Sequence, residues 1–193
     1  MRTIEVELFT ISELDAEVRS KVIEDLRTRG IYDPHSEEIT EEFAEHLESY
    51  GLPTNEIEWR LSWCQGDGVA FYGSIDIPVL LKKIGRWFEF ETLVESYGLT
   101  ATIERNSYGN HYSHWNTMEV FIERDRDYIL NAHRLKARSL WDLLKEMVVA
   151  HSRRLETSGY KKIEAAHDEE YIIECAEANE LEFTKEGRLW PNR

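Results

Sequence analysis

Two short runs of alternating side chains flank a Gly-Asp-Gly triplet, and no other feature limits the fold of this chain so tightly. In the first run Ile57, Trp59, Leu61 and Trp63 share one face, and Glu58, Arg60 and Ser62 share the other. After Gln65-Gly66-Asp67-Gly68, the residues Val69, Phe71, Gly73 and Ile75 alternate again. A period of two puts successive side chains on opposite faces of a strand. Gly and Asp tolerate the positive φ of a tight turn, so the two runs predict an antiparallel hairpin. Leu99, Ala101 and Ile103 begin a third strand of this kind, and Met118, Val120 and Ile122 form its expected partner.

The flanking segments carry helical spacing. Ile4, Val6 and Leu8 alternate within residues 2–9, which predicts a half-buried first strand rather than a signal peptide. Ser12 and Asp15 read as a capping box; Leu14, Val18, Val22 and Leu26 form the stripe of a helix that Gly30 would end. A second helix is expected from Ser36 to just before Gly51, with Ile39, Phe43, Leu47 and Tyr50 inward. Residues 77–97 suit one or two short helices ended by Gly98. A long helix is expected over 132–158, with Leu140, Leu144, Met147, Val148, His151 and Leu155 inward and Gly159 as its stop. The last helix, 163–178, would turn Tyr171, Ile172 and Cys175 inward and be capped by Asn179, before a short strand at Leu181–Thr184 and a turn. No repeat or linker divides the chain. Residues 1–193 are therefore expected to form a single α+β domain, an antiparallel sheet of about four to five strands with helices on one face, and 132–178 as its C-terminal helical part.

Charge narrows the function classes. The 193 residues hold 38 Asp and Glu against 23 Lys and Arg, a net charge of −15, so direct nucleic-acid binding is not expected. No apolar run approaches the roughly 20 residues that cross a bilayer. Two distant cysteines, Cys64 and Cys175, make neither a disulfide scaffold nor a four-cysteine zinc site, and free thiols point to the cytoplasm. The charge is also segregated. Residues 36–58 hold eight Glu and residues 164–182 eight acidic side chains, both without Lys or Arg. Residues 134–162 hold Arg134, Lys136, Arg138, Lys145, Arg153, Arg154, Lys161 and Lys162 against three acids. Either these helices neutralise one another or sit in solvent, or the acidic face serves an interaction. Glu37, Glu38, Glu41, Glu42, Glu45 and Glu48 line the outer side of the second helix. Glu37, Glu41, Glu45 and Glu48 recur about one turn, 5–6 Å, apart, close to the phosphate separation of a single nucleic-acid strand.

Several residues could carry chemistry. Cys64 would need His111 or His114 as a base to act as a nucleophile, and a small strand side chain is the simpler reading. Asp67 with His111 or His114 could ligate a metal in a hydrolase, yet a turn needs Asp there in any case, and the His-x-x-His spacing splits the two rings across a strand. His151 sits on an apolar stripe as a core residue; His35, His46, His133 and His167 have no partner pattern. The Gly66-Asp67-Gly68 loop is a weak phosphate motif, since no helix follows it. Trp63, Tyr72, Tyr112 and Trp115 could line a pocket on which a base stacks, although such aromatics usually form core.

The segments Leu8-Phe9-Thr10-Ile11-Ser12-Glu13-Leu14, Trp63-Cys64-Gln65-Gly66-Asp67-Gly68-Val69-Ala70-Phe71-Tyr72-Gly73, Tyr112-Ser113-His114 and Ala178-Asn179-Glu180-Leu181-Glu182-Phe183-Thr184-Lys185-Glu186-Gly187-Arg188 resemble an uncharacterised family of phage and bacterial proteins. That family carries a Trp-Ser-Gln-Gly-Asp-Gly-Ala-x-Phe-x-Gly hairpin and a Phe-Thr-x-x-Gly-Arg tail, and some members are labelled antitoxin of a toxin–antitoxin stability system. Cys64 stands where the family has Ser, and Val69 where it has Ala, which counts against Cys64 as a required nucleophile. The resemblance implies a phage setting, the host cytoplasm and an antitoxin-like or host-antagonising role.

The expected function is thus an acidic binding protein, needing no cofactor, that occludes the basic surface of a host defence nuclease, restriction- or CRISPR-type system or toxin through Glu37, Glu38, Glu41, Glu42, Glu45 and Glu48. One alternative is a binder that sequesters a small nucleotide through Trp63, Gln65, Gly66, Asp67, Gly68, Tyr112 and His114. Others are the metal-assisted hydrolase and an assembly protein that dimerises through the long helix.

Overall fold

The computed structural model describes residues 6–29, 36–106, 112–124 and 131–190. Its elements are α1 (Ala16–Thr28), α2 (Ser36–Glu48), β1 (Glu56–Arg60), β2 (Gly68–Ile75), α3 (Ile77–Lys83), α4 (Trp87–Tyr97), β3 (Leu99–Arg105), β4 (Met118–Arg124), α5 (Asn131–Ala166) and α6 (Glu169–Ala178). The four strands form one antiparallel sheet in the order β1-β2-β3-β4, the α+β architecture expected from the sequence. The chain divides into two compact units: 1–35 with 161–193, and 36–160. No composition break marks the division, because one boundary falls inside the continuous helix α5.

In the unit of residues 36–160, β1 and β2 pair from Glu56↔Tyr72 to Arg60↔Gly68, which confirms the hairpin. The β3–β4 register runs from Leu99↔Arg124 to Arg105↔Met118. Leu99, Ala101, Ile103 and Val120 are buried as the alternation predicts. From Gly68 to Tyr72 both faces of β2 are buried. Arg105 explains part of this: its guanidinium lies over the Tyr72 ring at 4.6 Å and pairs with Glu58. Two helices occupy 77–97, and Gly98, at φ 57°, closes the second in the left-handed conformation that glycine accepts without cost. From α5, Ser152 Oγ donates to Val69 O (2.5 Å) and Trp141 Nε1 to Val120 O (2.9 Å), fastening the helix to the central and the edge strand.

Gly159 does not end the long helix, which continues to Ala166. It is a point of close approach instead. A methyl group there would overlap Leu61 Cδ1 and lie 3.0 Å from Phe43 Cζ. Helix spacing alone cannot distinguish a stop glycine from a contact glycine.

In the other unit, Ile11, Leu14, Val22, Ile23, Leu26, Ile172, Ala176 and Phe183 form the core. The start of the first helix differs from expectation. Glu13 accepts from Thr10 N (2.9 Å) around a 3-10 turn at Ile11–Glu13, and Asp15, not Ser12, precedes α1. Ser12 Oγ instead donates to Glu177. Of the expected first strand, Ile4 lies outside the described residues, Val6 is exposed, and Phe9 alone bridges, to Phe183. The proposed stop Gly30 also lies outside them. The last helix begins at Glu169, not 163, and buries Ile172 and Ala176 while Tyr171 is exposed. Asn179 caps it, Nδ2 donating to Cys175 O at 2.8 Å.

A histidine pair joins α2 to α5. His46 Nε2 and His151 Nδ1 lie 2.8 Å apart, with the Tyr50 ring 4.3 Å from His151. Burial, the neighbouring His46 and Arg154 hold His151 down at about 4, and burial with Arg154 lowers His46. Both rings are therefore neutral in the fold at pH 7, one donating to the other.

Two outcomes follow from this packing. Gly159→Ala gains helix propensity but overpacks the contact, and should lower stability by about 1–3 kcal/mol in urea unfolding. Because both histidines bind protons more readily when unfolded, stability should be complete above about pH 6.5 and fall as pH drops from there towards 4. Melting temperatures across this window should decline less steeply in His46→Gln than in the parent.

Candidate functional site

The hairpin tip is built around one carboxylate. Asp67 is only 6% exposed, and its Oδ2 accepts three hydrogen bonds: from Ser62 N at 2.6 Å, Cys64 N at 2.9 Å and the Tyr160 hydroxyl at 2.7 Å. Burial alone would raise its pKa, but the bonds from Cys64, Tyr160 and Ser62, with the charge of Arg60, outweigh it and hold the carboxyl below its ordinary value. The Tyr160 hydroxyl is pushed the other way, up to about 12, by burial and by the carboxylate that accepts its proton. Asp67 thus shapes the turn with its side chain and not with a positive φ, which belongs here to Trp63 (53°), Gly66 (95°) and Gly68 (154°).

This arrangement changes the role of Trp63. It leaves the strand face that Ile57 and Trp59 keep, since β1 ends at Arg60. Trp63 is 61% exposed, with its ring 5.1 Å from that of Tyr160. Its left-handed backbone costs about 1–3 kcal/mol, which the surrounding bonds to Asp67 offset. The thiol of Cys64 is exposed and donates to Ser62 O at 3.3 Å. The Asp67 N–H is taken by Cys64 O (3.2 Å), which removes a donor from any phosphate cradle.

Beside the tip lies a cavity of about 320 Å³, lined by Gln65, Gly66, Tyr112, His114, Asn116 and Thr117. It brings together Gln65, Gly66, Tyr112 and His114 of the sequence-predicted pocket. Trp63, Asp67 and Gly68 do not line it: Trp63 faces solvent, Asp67 is spent on the turn, and Gly68 opens β2. Gly68 still matters, because a methyl group there would meet Ser113 O at 2.9 Å. Of the aromatics considered, Tyr72 is buried with its hydroxyl 3.0 Å from Thr117 Oγ1, and the Trp115 ring is covered by Arg153 at 4.8 Å. His111 lies outside the described residues, as does His35. The three bonds occupy Oδ2 of Asp67 alone, while its Oδ1 is buried without a hydrogen-bond partner among the described residues; no group of three metal-binding side chains occurs among those residues. His133 Nδ1 pairs with the Tyr97 hydroxyl (3.1 Å), and His167 Nδ1 meets Ile163 O (2.7 Å).

The acidic face is a second candidate. Glu37, Glu38, Glu41, Glu42, Glu45 and Glu48 are all exposed on α2, opposite the buried Ile39, Phe43 and Leu47. Glu37, Glu38, Glu41, Glu45 and Glu48 make no ion pair among the described residues. A groove of about 440 Å³ runs beside them, lined by Glu37, Thr40, Glu41, Ala44, Asn55 and Ile57 among others. Trp59 Nε1 donates to Thr40 Oγ1 (2.9 Å) and ties the groove's helical wall to β1.

These features define an α+β protein with an antiparallel sheet, an acidic helix face and a neutral cavity at a hairpin tip. The chain belongs to the family described as domain of unknown function DUF8835, whose model matches residues 35–171. That span contains both candidate sites. No curated protein and no solved structure matches the chain. Among the described residues no helix is long and apolar enough to cross a membrane.

Sequence reasoning did not reach the His46–His151 pair or the Asp67–Tyr160 bond, because the partners are more than ninety residues apart. Removing the carboxylate tests the tip. Asp67→Ala should cost about 2–4 kcal/mol in urea unfolding, and Tyr160→Phe, which loses one of three bonds, about 1–2 kcal/mol. Their effects should be less than additive in the double variant.

Proposed function

We propose that the protein acts by binding, and that its α2 face occupies a basic surface on a partner protein. Six carboxylates on one side of one helix, at turn spacing, form a line of negative charge comparable to a nucleic-acid backbone. The observation that carries the reading is that five of the six are exposed and unpaired among the described residues, so they keep their charge for a partner. The groove with Glu37 and Glu41 gives an arginine or lysine side chain of that partner a place to enter. Proteins that handle nucleic acid carry basic clefts of this kind, so the target class is a nuclease, a restriction- or CRISPR-type effector, or a toxin. The resemblance to phage proteins labelled antitoxin agrees with such a host-antagonising role.

Capture of a partner from host lysate on immobilised protein should be strong at low salt and lost towards 1 M, where the Debye length is about 3 Å. Duplex DNA in excess should compete for the captured partner. The double variant Glu41→Lys, Glu45→Lys should weaken capture by roughly tenfold or more. Capture unaffected by salt, DNA and charge reversal alike would remove this reading.

A further inference from the structure

We propose that the cavity at the hairpin tip is a separate binding site for a flat, uncharged heteroaromatic group, the base of a nucleoside or nucleotide. The lining residues Gln65, Gly66, Tyr112, His114, Asn116 and Thr117 include no Lys, Arg, Asp or Glu, in a chain whose net charge is −15. A site without cations does not select for a phosphate, and one with four polar side chains does not select for a hydrocarbon.

Its parts match what a base offers. The Tyr112 ring lies directly on Gly66, where any side chain would overlap it, and φ of 95° there also favours glycine. One side of the ring is thereby supported by backbone, yet the residue remains 55% exposed, which suits a stacking platform. His114 Nδ1 accepts from Asn116 N at 3.2 Å, which leaves Nε2 as the ring nitrogen that can donate to a ligand. The carboxamides of Gln65 and Asn116 make no hydrogen bond among the described residues, and each has donors and an acceptor to spend. Thr117 holds the wall, its Oγ1 donating to His114 O (2.7 Å) and meeting the Tyr72 hydroxyl. An aromatic face beside paired donors and acceptors is how proteins read the edge of an unstacked base.

This site is independent of the α2 face, and so is its test. Calorimetry and saturation-transfer NMR would use the four ribonucleosides and their 5′-monophosphates, with ribose 5-phosphate and N-acetylglucosamine as controls. At least one nucleoside should bind. Gln65→Ala and Tyr112→Ala, both at exposed positions, should each weaken it about tenfold or more with unchanged melting temperature. The Glu41→Lys, Glu45→Lys variant should bind the nucleoside as the parent does. Equal affinity for nucleoside and monophosphate would assign recognition to the base alone; a tighter monophosphate would still support base recognition, with the phosphate outside the cavity. Absence of nucleoside binding, binding of either control, or affinity unchanged in both cavity variants would overturn the proposal.

Discussion

The Asp67 carboxylate is the interaction on which the hairpin tip and the cavity beside it depend. A seven-residue connection between β1 and β2 has few backbone bonds of its own, and one oxygen replaces them by accepting from Ser62, Cys64 and Tyr160. The first two bonds fold the chain back on itself and hold Trp63 in a conformation it would otherwise avoid. The third fastens the tip to α5. Gly66 and Gly68 are thereby held where the 112–114 segment can pack against bare backbone, and the cavity exists because of that packing.

Charge and neutrality are kept apart within residues 36–160. Helix α2 spends its apolar side on the core and presents carboxylates outward, while its His46 contacts His151 without adding charge at neutral pH. Among the described residues the cavity lining holds no Lys, Arg, Asp or Glu. A partner rich in arginine and lysine and a planar neutral ligand would therefore be sorted to different places by elementary electrostatics.

Much of this was legible in the sequence because periodicity reports burial. The alternation of Leu99, Ala101 and Ile103 and the spacing of Ile39, Phe43 and Leu47 match their burial, and Gly98 and Asn179 stand at helix ends as their residue types predict. Long-range contacts were not legible. Local propensity predicts a stop at Gly159 because it says nothing of Leu61 and Phe43 packing against that position. Helical spacing predicts Tyr171 inward, whereas Ile172 and Ala176 are the buried side chains there. Trp63 fitted the strand period but was released by a turn whose real agent, the Asp67 side chain, has its third partner 93 residues away. Four of the seven residues expected in the pocket line it, Gln65 and Gly66 because their adjacency follows from the hairpin itself; nothing in the sequence around Asn116 and Thr117 marks them.

Amide hydrogen exchange at Ser62 and Cys64, followed by NMR, addresses the carboxylate hub most directly. Both N–H groups lie in a loop, where unprotected amides exchange fast. The Asp67 bonds predict slow exchange at both positions, rising together when Asp67 is replaced by Ala. Exchange at the open-loop rate in the parent protein would contradict the account.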